Sequence, residues 1–251
     1  MINEGTPDFL ARADGLKLAV RHRPGTSGKP TIVFLPGYAS DMLGGKAVAL
    51  DAWAARQGHA MLRLDYSGCG ESEGDFADGT LAIWRDDARS VIDSRVDGTV
   101  LLVGSSMGGW LALLLAEALG DRVEALVGIA AAPDFTEWGF TEAEKATLGT
   151  DGRLLRPSDY GPEPMLTTCG FWTAGQANLL LDRVIDYAGP VRLLQGQLDD
   201  AVPWDIALRT AAALRSDDVQ VTLIKDGDHR LSRDADIALL IATVDRLMES
   251  V

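Results

Sequence analysis

The sequence predicts an α/β fold in which helices cover both faces of a mostly parallel sheet of about eight strands. Three observations support this prediction. Short β-rich segments alternate with longer helical patterns along the chain. Several β-rich segments, such as Thr31–Leu35 and Thr99–Val103, are continuously apolar, which is typical of strands that are covered on both faces. The chain has 251 residues, a length that one large α/β domain often reaches.

The individual elements follow from local patterns. Phe9–Arg12 and Leu16–Arg23 flank Asp14-Gly15, a favoured two-residue turn, and therefore predict a hairpin. The later predicted strands are Thr31–Leu35, Ala60–Asp65, Thr99–Val103, Val123–Ala130, Val191–Leu194 and Val219–Ile224. The predicted helices are Gly45–Arg56, Leu81–Ser94, Met107–Leu119, Asp205–Leu214 and Asp234–Glu249.

One long interval interrupts this alternation. Residues 133–190 contain no clear strand, but they contain five prolines and two tryptophans, Trp138 and Trp172. An interruption of this length within a compact domain is usually functional. We therefore expect residues 1–251 to form one domain with a helical lid insertion at about 133–190. The alternative is a helical decoration that takes no part in the chemistry.

Composition and charge exclude several classes of protein. The formal net charge is −14, from 37 acidic and 23 basic side chains, and a field of this sign repels nucleic acid. No apolar stretch approaches the roughly 20 residues that a transmembrane helix needs, and the N-terminus shows no signal-peptide pattern. Cys69 and Cys169 form no C-x-x-C pair, and three scattered histidines give no metal-ligand spacing. We expect a soluble, cytoplasmic protein with free cysteines and without a metal or cofactor.

The segment GSSMG (residues 104–108) is a candidate nucleophile turn because it lies between a predicted strand and an apolar helix. The central serine of such a turn is strained, so the neighbours two residues away must lack side chains. The turn raises the Ser106 hydroxyl above the sheet and places the Met107 N–H at a helix N-terminus, where it can bind an oxyanion. Ser106 is therefore the predicted nucleophile. The alternative is a turn used only for packing.

A serine nucleophile needs a base and an acid to orient that base. In this architecture the order along the chain is serine, acid, histidine. His229 follows the last predicted strand, whereas His22 and His59 precede the serine, so His229 is the predicted base. The acid is expected after the penultimate strand, where Asp199 is the preferred residue and Asp200 the alternative.

Other loop residues complete the predicted site. The Tyr38 N–H, in the loop PGYAS after the first parallel strand, is the natural second oxyanion donor, although its ring is equally suited to forming a pocket wall. Gly68-Cys69-Gly70 lacks the third glycine of a dinucleotide fingerprint, since Glu73 stands there, and no helix opens after it. This motif therefore predicts a turn and no dinucleotide.

Substrate contacts are harder to assign from the sequence. Arg230 follows the predicted base directly, and its cation suits an anionic substrate or leaving group such as a glucuronide. The alternative is a surface arginine that pairs with Asp226 or Asp228. Trp172 and Trp204 are further candidate substrate contacts.

Six segments of the chain resemble the α/β-hydrolase superfamily, and in particular its palmitoyl-protein thioesterase and acyl-glucuronide esterase branch. They are PGYAS (36–40), RLDYSGCGESEG (63–74), WRDD (84–87), VGSSMGGW (103–110), RLLQGQLDDAVPW (192–204) and DHR (228–230). The resemblance extends over nearly the whole chain except residues 134–188. It implies the α/β-hydrolase fold, a nucleophile–acid–base set of Ser106, Asp199 and His229, and oxyanion donors on Tyr38 and Met107.

We expect from these residues a serine hydrolase of carboxylic esters or thioesters that acts through an acyl-enzyme. The expected partner is a small acyl ester or thioester, or an acylated protein. Two alternatives remain open. The same residues support carbon–carbon bond hydrolysis or perhydrolysis, and a binding protein can retain the fold without catalysis.

Overall fold

Eight strands form one sheet in the computed structural model, which describes residues 5–26, 28–158 and 164–251. In chain order the strands of this sheet and of a separate hairpin are β1 (Asp8–Ala11), β2 (Lys17–Arg23), β3 (Thr31–Leu35), β4 (Met61–Leu64), β5 (Val100–Ser105), β6 (Val123–Ile129), β7 (Arg153–Arg156), β8 (Met165–Thr168), β9 (Val191–Gly196) and β10 (Val219–Ile224). The order across the large sheet is β1-β2-β4-β3-β5-β6-β9-β10. β2 pairs antiparallel with β1 and β4, and all other neighbours in the large sheet are parallel.

Helices cover both faces of this sheet, which confirms the predicted α/β architecture. The helices are α1 (Gly45–Gln57), α2 (Leu81–Arg95), α3 (Met107–Leu119), α4 (Phe135–Trp138), α5 (Glu142–Asp151), α6 (Cys169–Gln176), α7 (Asp205–Ala213) and α8 (Asp234–Ser250). Apolar residues of α2, α3 and α7 form one core with the sheet, and those of α1 and α8 form a second. Successive residues of a strand serve the two cores in turn, as in β3, where Ile32 belongs to the second and Val33 to the first.

The interval at 133–190 contains the expected helices α4, α5 and α6, and it also contains strands that the sequence did not predict. β7 and β8 pair antiparallel to form a two-stranded sheet of their own. Each strand has only four residues, which is too short for a distinct alternating pattern. Gly152, with a φ of 74°, ends α5 and turns the chain into β7. Residues 159–163 of the interval, and residues 1–4 at the N-terminus, lie outside the described residues.

Two further predictions concern the described part of the chain. Cys69 is buried, Cys169 is half-buried, and both are free. None of the helices described is both long and apolar enough to cross a bilayer.

Candidate active site

Ser106 occupies a strained turn between β5 and α3. Its backbone has a φ of 54° and a ψ of −120°, which a residue with a side chain rarely adopts and which costs roughly 1–3 kcal/mol. Backbone hydrogen bonds hold it there: the Ser106 N–H donates to Ile129 O at 2.9 Å, and its carbonyl accepts from the N–H groups of Gly109 at 2.9 Å and Ala132 at 3.0 Å. The strain is thus sustained by the surrounding sheet and helix.

The glycines on either side of Ser106 allow this turn to pack closely. A Cβ on Gly108 would lie 2.0 Å from Leu35 O, and a Cβ on Gly104 would lie 2.2 Å from Gly108 O. The first turn of α3 therefore rests directly on the ends of β3 and β5. Met107 is the first residue of α3, where a backbone N–H has no partner within the helix.

The structure brings the predicted base and acid to Ser106. His229 Nε2 lies 3.1 Å from Ser106 Oγ. On the other side of the ring, His229 Nδ1 lies 2.9 Å from Asp199 Oδ2 and 3.1 Å from Oδ1. The Asp199 side chain is fully buried, whereas the His229 side chain is 15% exposed. Asp199 therefore holds the side of the imidazole that faces away from the serine.

Two glycines bring the loops of His229 and Asp199 together. A Cβ on Gly196 would lie 2.3 Å from Gly227 O, so the loop after β10 crosses the end of β9 at backbone contact distance. The Leu198 N–H donates to Gly227 O at 2.9 Å and fixes this crossing. The sequence spacing of about 30 residues between acid and base is thereby converted into a direct contact.

The loop that carries Tyr38 is fixed from the end of β4. Tyr66 donates from its hydroxyl to Pro36 O at 3.1 Å. Asp65, which is fully buried, accepts from the Met42 N–H at 2.7 Å and from the Glu71 N–H at 2.9 Å. Burial raises the pKa of Asp65, and these two hydrogen bonds act in the opposite direction.

The Gly68-Cys69-Gly70 motif is a turn around the Asp65 carboxylate. Gly68 and Gly70 have φ values of 74° and 52°, and a Cβ on Gly70 would lie 2.2 Å from Asp65 Oδ2. The glycines of this motif thus serve a backbone turn that positions the Tyr38 loop.

The Tyr38 ring connects this loop to the β7–β8 hairpin. Its hydroxyl donates to Leu166 O of β8 at 2.6 Å, and burial raises its pKa well above the ordinary value. The neighbouring aromatic rings are those of Phe76, Trp84, Phe135 and Phe171, with centroids at 5.2, 5.7, 6.0 and 4.7 Å from that of Tyr38. The Tyr38 side chain therefore ties its loop to the hairpin.

A cavity of about 820 Å³ opens beside Ser106 and His229. Much of its wall is apolar and comes from the Tyr38 loop, the turn before α2 and the hairpin: Tyr38, Leu43, Phe76, Pro164, Met165 and Leu166. The charged residues in the described part of its lining are Asp41, Lys46 and Arg230. No sequence pattern marks Lys46, Phe76, Met165 or Leu166 as lining residues, because they come together from separate segments.

The cations of the cavity lie next to one another. Lys46 Nζ donates to Arg230 O and to Ser232 Oγ, and burial lowers the pKa of its ammonium group. The two aspartates considered as partners of Arg230 have other contacts as well. Asp226 pairs with Arg233 at 2.6 Å, and Asp228 accepts from the Leu231 N–H at 3.0 Å.

The two tryptophans proposed as substrate contacts are absent from the described lining of this cavity. Trp172, on α6, donates from its indole N–H to Thr136 O at 2.9 Å and so joins two helices of the insertion. Trp204 immediately precedes α7 and is 41% exposed.

Comparison with known proteins identifies the family. The sequence profile of the alpha/beta hydrolase family matches residues 32–249. The chain belongs to this family. The mitochondrial palmitoyl-protein thioesterase ABHD10 of Mus musculus is 40% identical over 247 residues, which are 97% of this chain and 82% of the relative. The Homo sapiens protein of the same name is also 40% identical, over 97% of this chain and 80% of its own.

A solved structure gives the same result. The alpha/beta hydrolase domain-containing protein 10 from mouse superimposes with a TM-score of 0.91 at 39% identity, and covers 98% of this chain and 99% of its own. The resemblance inferred from the sequence motifs, and the α/β-hydrolase fold it implied, are confirmed.

Proposed function

We propose that this hydrolase cleaves acyl thioesters or carboxylic esters with Ser106 as nucleophile, His229 as base and Asp199 as the acid that orients it. The observation that carries the proposal is the continuous contact from Ser106 Oγ through His229 to Asp199, beside a largely apolar cavity. The mouse and human relatives are named palmitoyl-protein thioesterases, and these names support an acyl thioester as the substrate.

In the proposed reaction, His229 Nε2 takes the Ser106 proton while Oγ attacks the acyl carbonyl carbon. The N–H groups of Met107 and Tyr38 stabilise the tetrahedral oxyanion, an effect of about 3–4 kcal/mol per donor in comparable sites. His229 then protonates the leaving thiol or alcohol. Water repeats the cycle on the acyl-enzyme and releases the acid. Asp199 holds the imidazole in the required orientation and stabilises its positive charge.

The two kinds of lining residue suggest how a substrate lies in the cavity. In our proposal the acyl chain packs on the apolar wall that includes Phe76, Met165 and Leu166. The leaving group lies near Lys46 and Arg230, whose charges suit an anionic group such as the carboxylate of an acyl glucuronide. A small acyl ester or thioester and an acylated protein both combine an acyl chain with a leaving group.

Substitution of the nucleophile tests the proposal. The Ser106→Ala variant should lose at least about 10⁴-fold in kcat on acyl thioesters and p-nitrophenyl esters, with an unchanged unfolding temperature. A fluorophosphonate probe should label the wild type and leave the variant unlabelled. Wild-type turnover in Ser106→Ala would refute the assignment.

The same measurements separate the alternatives. A catalytically silent binding protein would not react with the probe. An enzyme specialised for carbon–carbon bond hydrolysis or perhydrolysis would react with the probe but hydrolyse a series of simple acyl esters slowly.

The cytoplasmic location predicted from the sequence is a separate proposal, since the relatives carry the word mitochondrial in their names. Fractionation of cells that express the native chain tests this location.

A further inference from the structure

We propose that Gln195, the residue before Gly196 on β9, is a positioning residue for the Asp199 carboxylate; the inference rests on the proposed function of Asp199. Gln195 is fully buried. Its side-chain Nε2 donates to Asp199 Oδ2 at 2.9 Å. Gln195 lies within the segment RLLQGQLDDAVPW (192–204) that resembles the family, but the sequence by itself assigns it no role.

The surroundings of Gln195 determine which end of its amide faces the aspartate. Three oxygen atoms surround the nitrogen: Asp199 Oδ2 at 2.9 Å, Gly196 O at 3.3 Å and Val202 O at 3.3 Å. All three accept hydrogen bonds, so only the NH₂ group fits between them. The opposite amide orientation would place a fourth oxygen against these three.

The other end of the amide indicates a function beyond packing. Among the described residues, Gln195 Oε1 is buried and has no hydrogen-bond partner. A buried acceptor without a partner is unfavourable, and an apolar side chain of the same shape would avoid this cost. The hydrogen bonds that this amide makes to described residues therefore come from the N–H groups that face Asp199.

Asp199 depends on Gln195 for a fixed orientation. Its Oδ1 accepts from the backbone N–H groups of Ala201 at 3.0 Å and Val202 at 2.8 Å. Its Oδ2 is the oxygen nearer to His229 Nδ1, and Gln195 donates to this same atom. Without Gln195, the oxygen that meets the imidazole would lose the donor that holds it from the side of the sheet. The carboxylate would then be held only by the two N–H groups at Oδ1 and by the imidazole itself, and a small rotation about its Cβ–Cγ bond would disturb the alignment of His229 with Ser106.

Gln195→Met tests this function because methionine keeps the approximate shape and removes the donor. We expect kcat on a p-nitrophenyl ester to fall by about 10- to 100-fold, the range for a lost hydrogen bond to a charged group. KM should change by less than about twofold, since Gln195 is absent from the described lining of the cavity. Gln197→Met, the same substitution two residues along the loop, is the matched control and should leave kcat near the wild-type value.

A double-mutant comparison shows whether Gln195 acts through Asp199. If it does, the substitution should have little further effect in an Asp199→Asn background, so that Asp199→Asn and the double variant share the same kcat within about twofold. A residue with only a packing role would reduce kcat by the same factor in both backgrounds. Gln195→Leu, a second apolar substitution that removes the donor, should reduce kcat at least as much as Gln195→Met.

The outcomes separate this inference from the proposed function. If Ser106→Ala keeps wild-type activity, the proposed function itself fails. If Ser106→Ala is inactive but Gln195→Met and Gln195→Leu both keep kcat within about twofold of the wild type, the positioning function is refuted. It is also refuted if the loss of kcat is equally large in the Asp199→Asn background. If Gln195→Met unfolds, as shown by a lost thermal transition, Gln195→Leu decides by the same criteria.

Discussion

The hydroxyl group of Tyr38 offers a direct test of whether the β7–β8 hairpin influences the reaction site. Tyr38→Phe removes the 2.6 Å hydrogen bond to Leu166 O but keeps the ring, its aromatic neighbours and the backbone N–H. A net hydrogen bond of this kind contributes about 0.5–1.5 kcal/mol to stability. For a chain of this size, that corresponds to a fall in the unfolding temperature of about 1–6 °C.

The expected effect on activity depends on the length of the acyl chain. In the proposed function a long acyl chain packs against Met165 and Leu166 on the hairpin, and the Tyr38 hydroxyl links the hairpin to the loop of the proposed oxyanion donor. Because the bond contributes at most about 1.5 kcal/mol, its loss should reduce kcat by at most about 10-fold. The loss should be largest for a long acyl chain and smallest for acetate, which does not reach the hairpin.

The assay compares kcat for p-nitrophenyl acetate and p-nitrophenyl decanoate in the wild type and the variant. Tyr187→Phe is a matched control: Tyr187 is also buried and donates from its hydroxyl to a backbone carbonyl, Val123 O, at 3.2 Å. The accepting carbonyl lies at the beginning of β6, whereas Ser106 follows the end of β5. Tyr187→Phe should lower the unfolding temperature, and any change in its kcat should be the same for the two esters. Equal losses of kcat on the two esters in Tyr38→Phe would refute the link between the hairpin and the oxyanion loop.

Three further predictions follow from the geometry. Gly196→Ala should reduce kcat by about 100-fold and destabilise the fold by about 1–3 kcal/mol, because the new Cβ would lie 2.3 Å from a carbonyl oxygen of the base loop; ester kinetics and thermal unfolding measure both. Arg230→Ala should raise KM about 3- to 10-fold for an ester with an anionic leaving group and leave a neutral ester unchanged. Glu144, whose pKa is lowered to about 2 chiefly by its hydrogen bond with Arg156, should contribute stability that is present above about pH 4.5 and is lost as the pH falls towards 2. Since this carboxylate is largely solvated, its contribution should stay below about 1 kcal/mol, as measured by unfolding of Glu144→Gln and the wild type between pH 5 and 3.

Each of these predictions has a control that can contradict it. Gly98→Ala places a Cβ where no atom lies within 4 Å, and a loss as large as that of Gly196→Ala would exclude the steric explanation. An equal rise of KM for the anionic and the neutral ester would remove the charge explanation for Arg230. Glu142→Gln is the control for Glu144, because Glu142 is 90% exposed on the same helix. If both variants change the pH dependence of stability equally, the predicted contribution of the Glu144 carboxylate is contradicted.

The features that depend on neighbouring residues in the chain were predictable. The turn at Ser106 needs small residues two positions away and an apolar helix after it, and all of these lie within one short segment. The central strands of the large sheet, such as β3 and β5, were predictable for a similar reason, since burial on both faces leaves continuous apolar runs. The hairpin at Arg153–Arg156 and Met165–Thr168 was missed because its four-residue strands are not continuously buried and are too short for a clear alternation.

The sequence by itself predicted the class of fold, the strained turn at Ser106 and the chain order of the proposed nucleophile, acid and base. Only the tertiary structure shows that Asp199, one of two neighbouring aspartates after β9, contacts His229. It also placed Trp172 and Trp204 away from the described cavity lining, and it brought Gln195 to Asp199 and Tyr38 to Leu166. The physical reason is that propensity, capping and turn chemistry act between neighbours in the chain. Hydrogen bonds between distant side chains depend on how the loops pack after the sheet has formed.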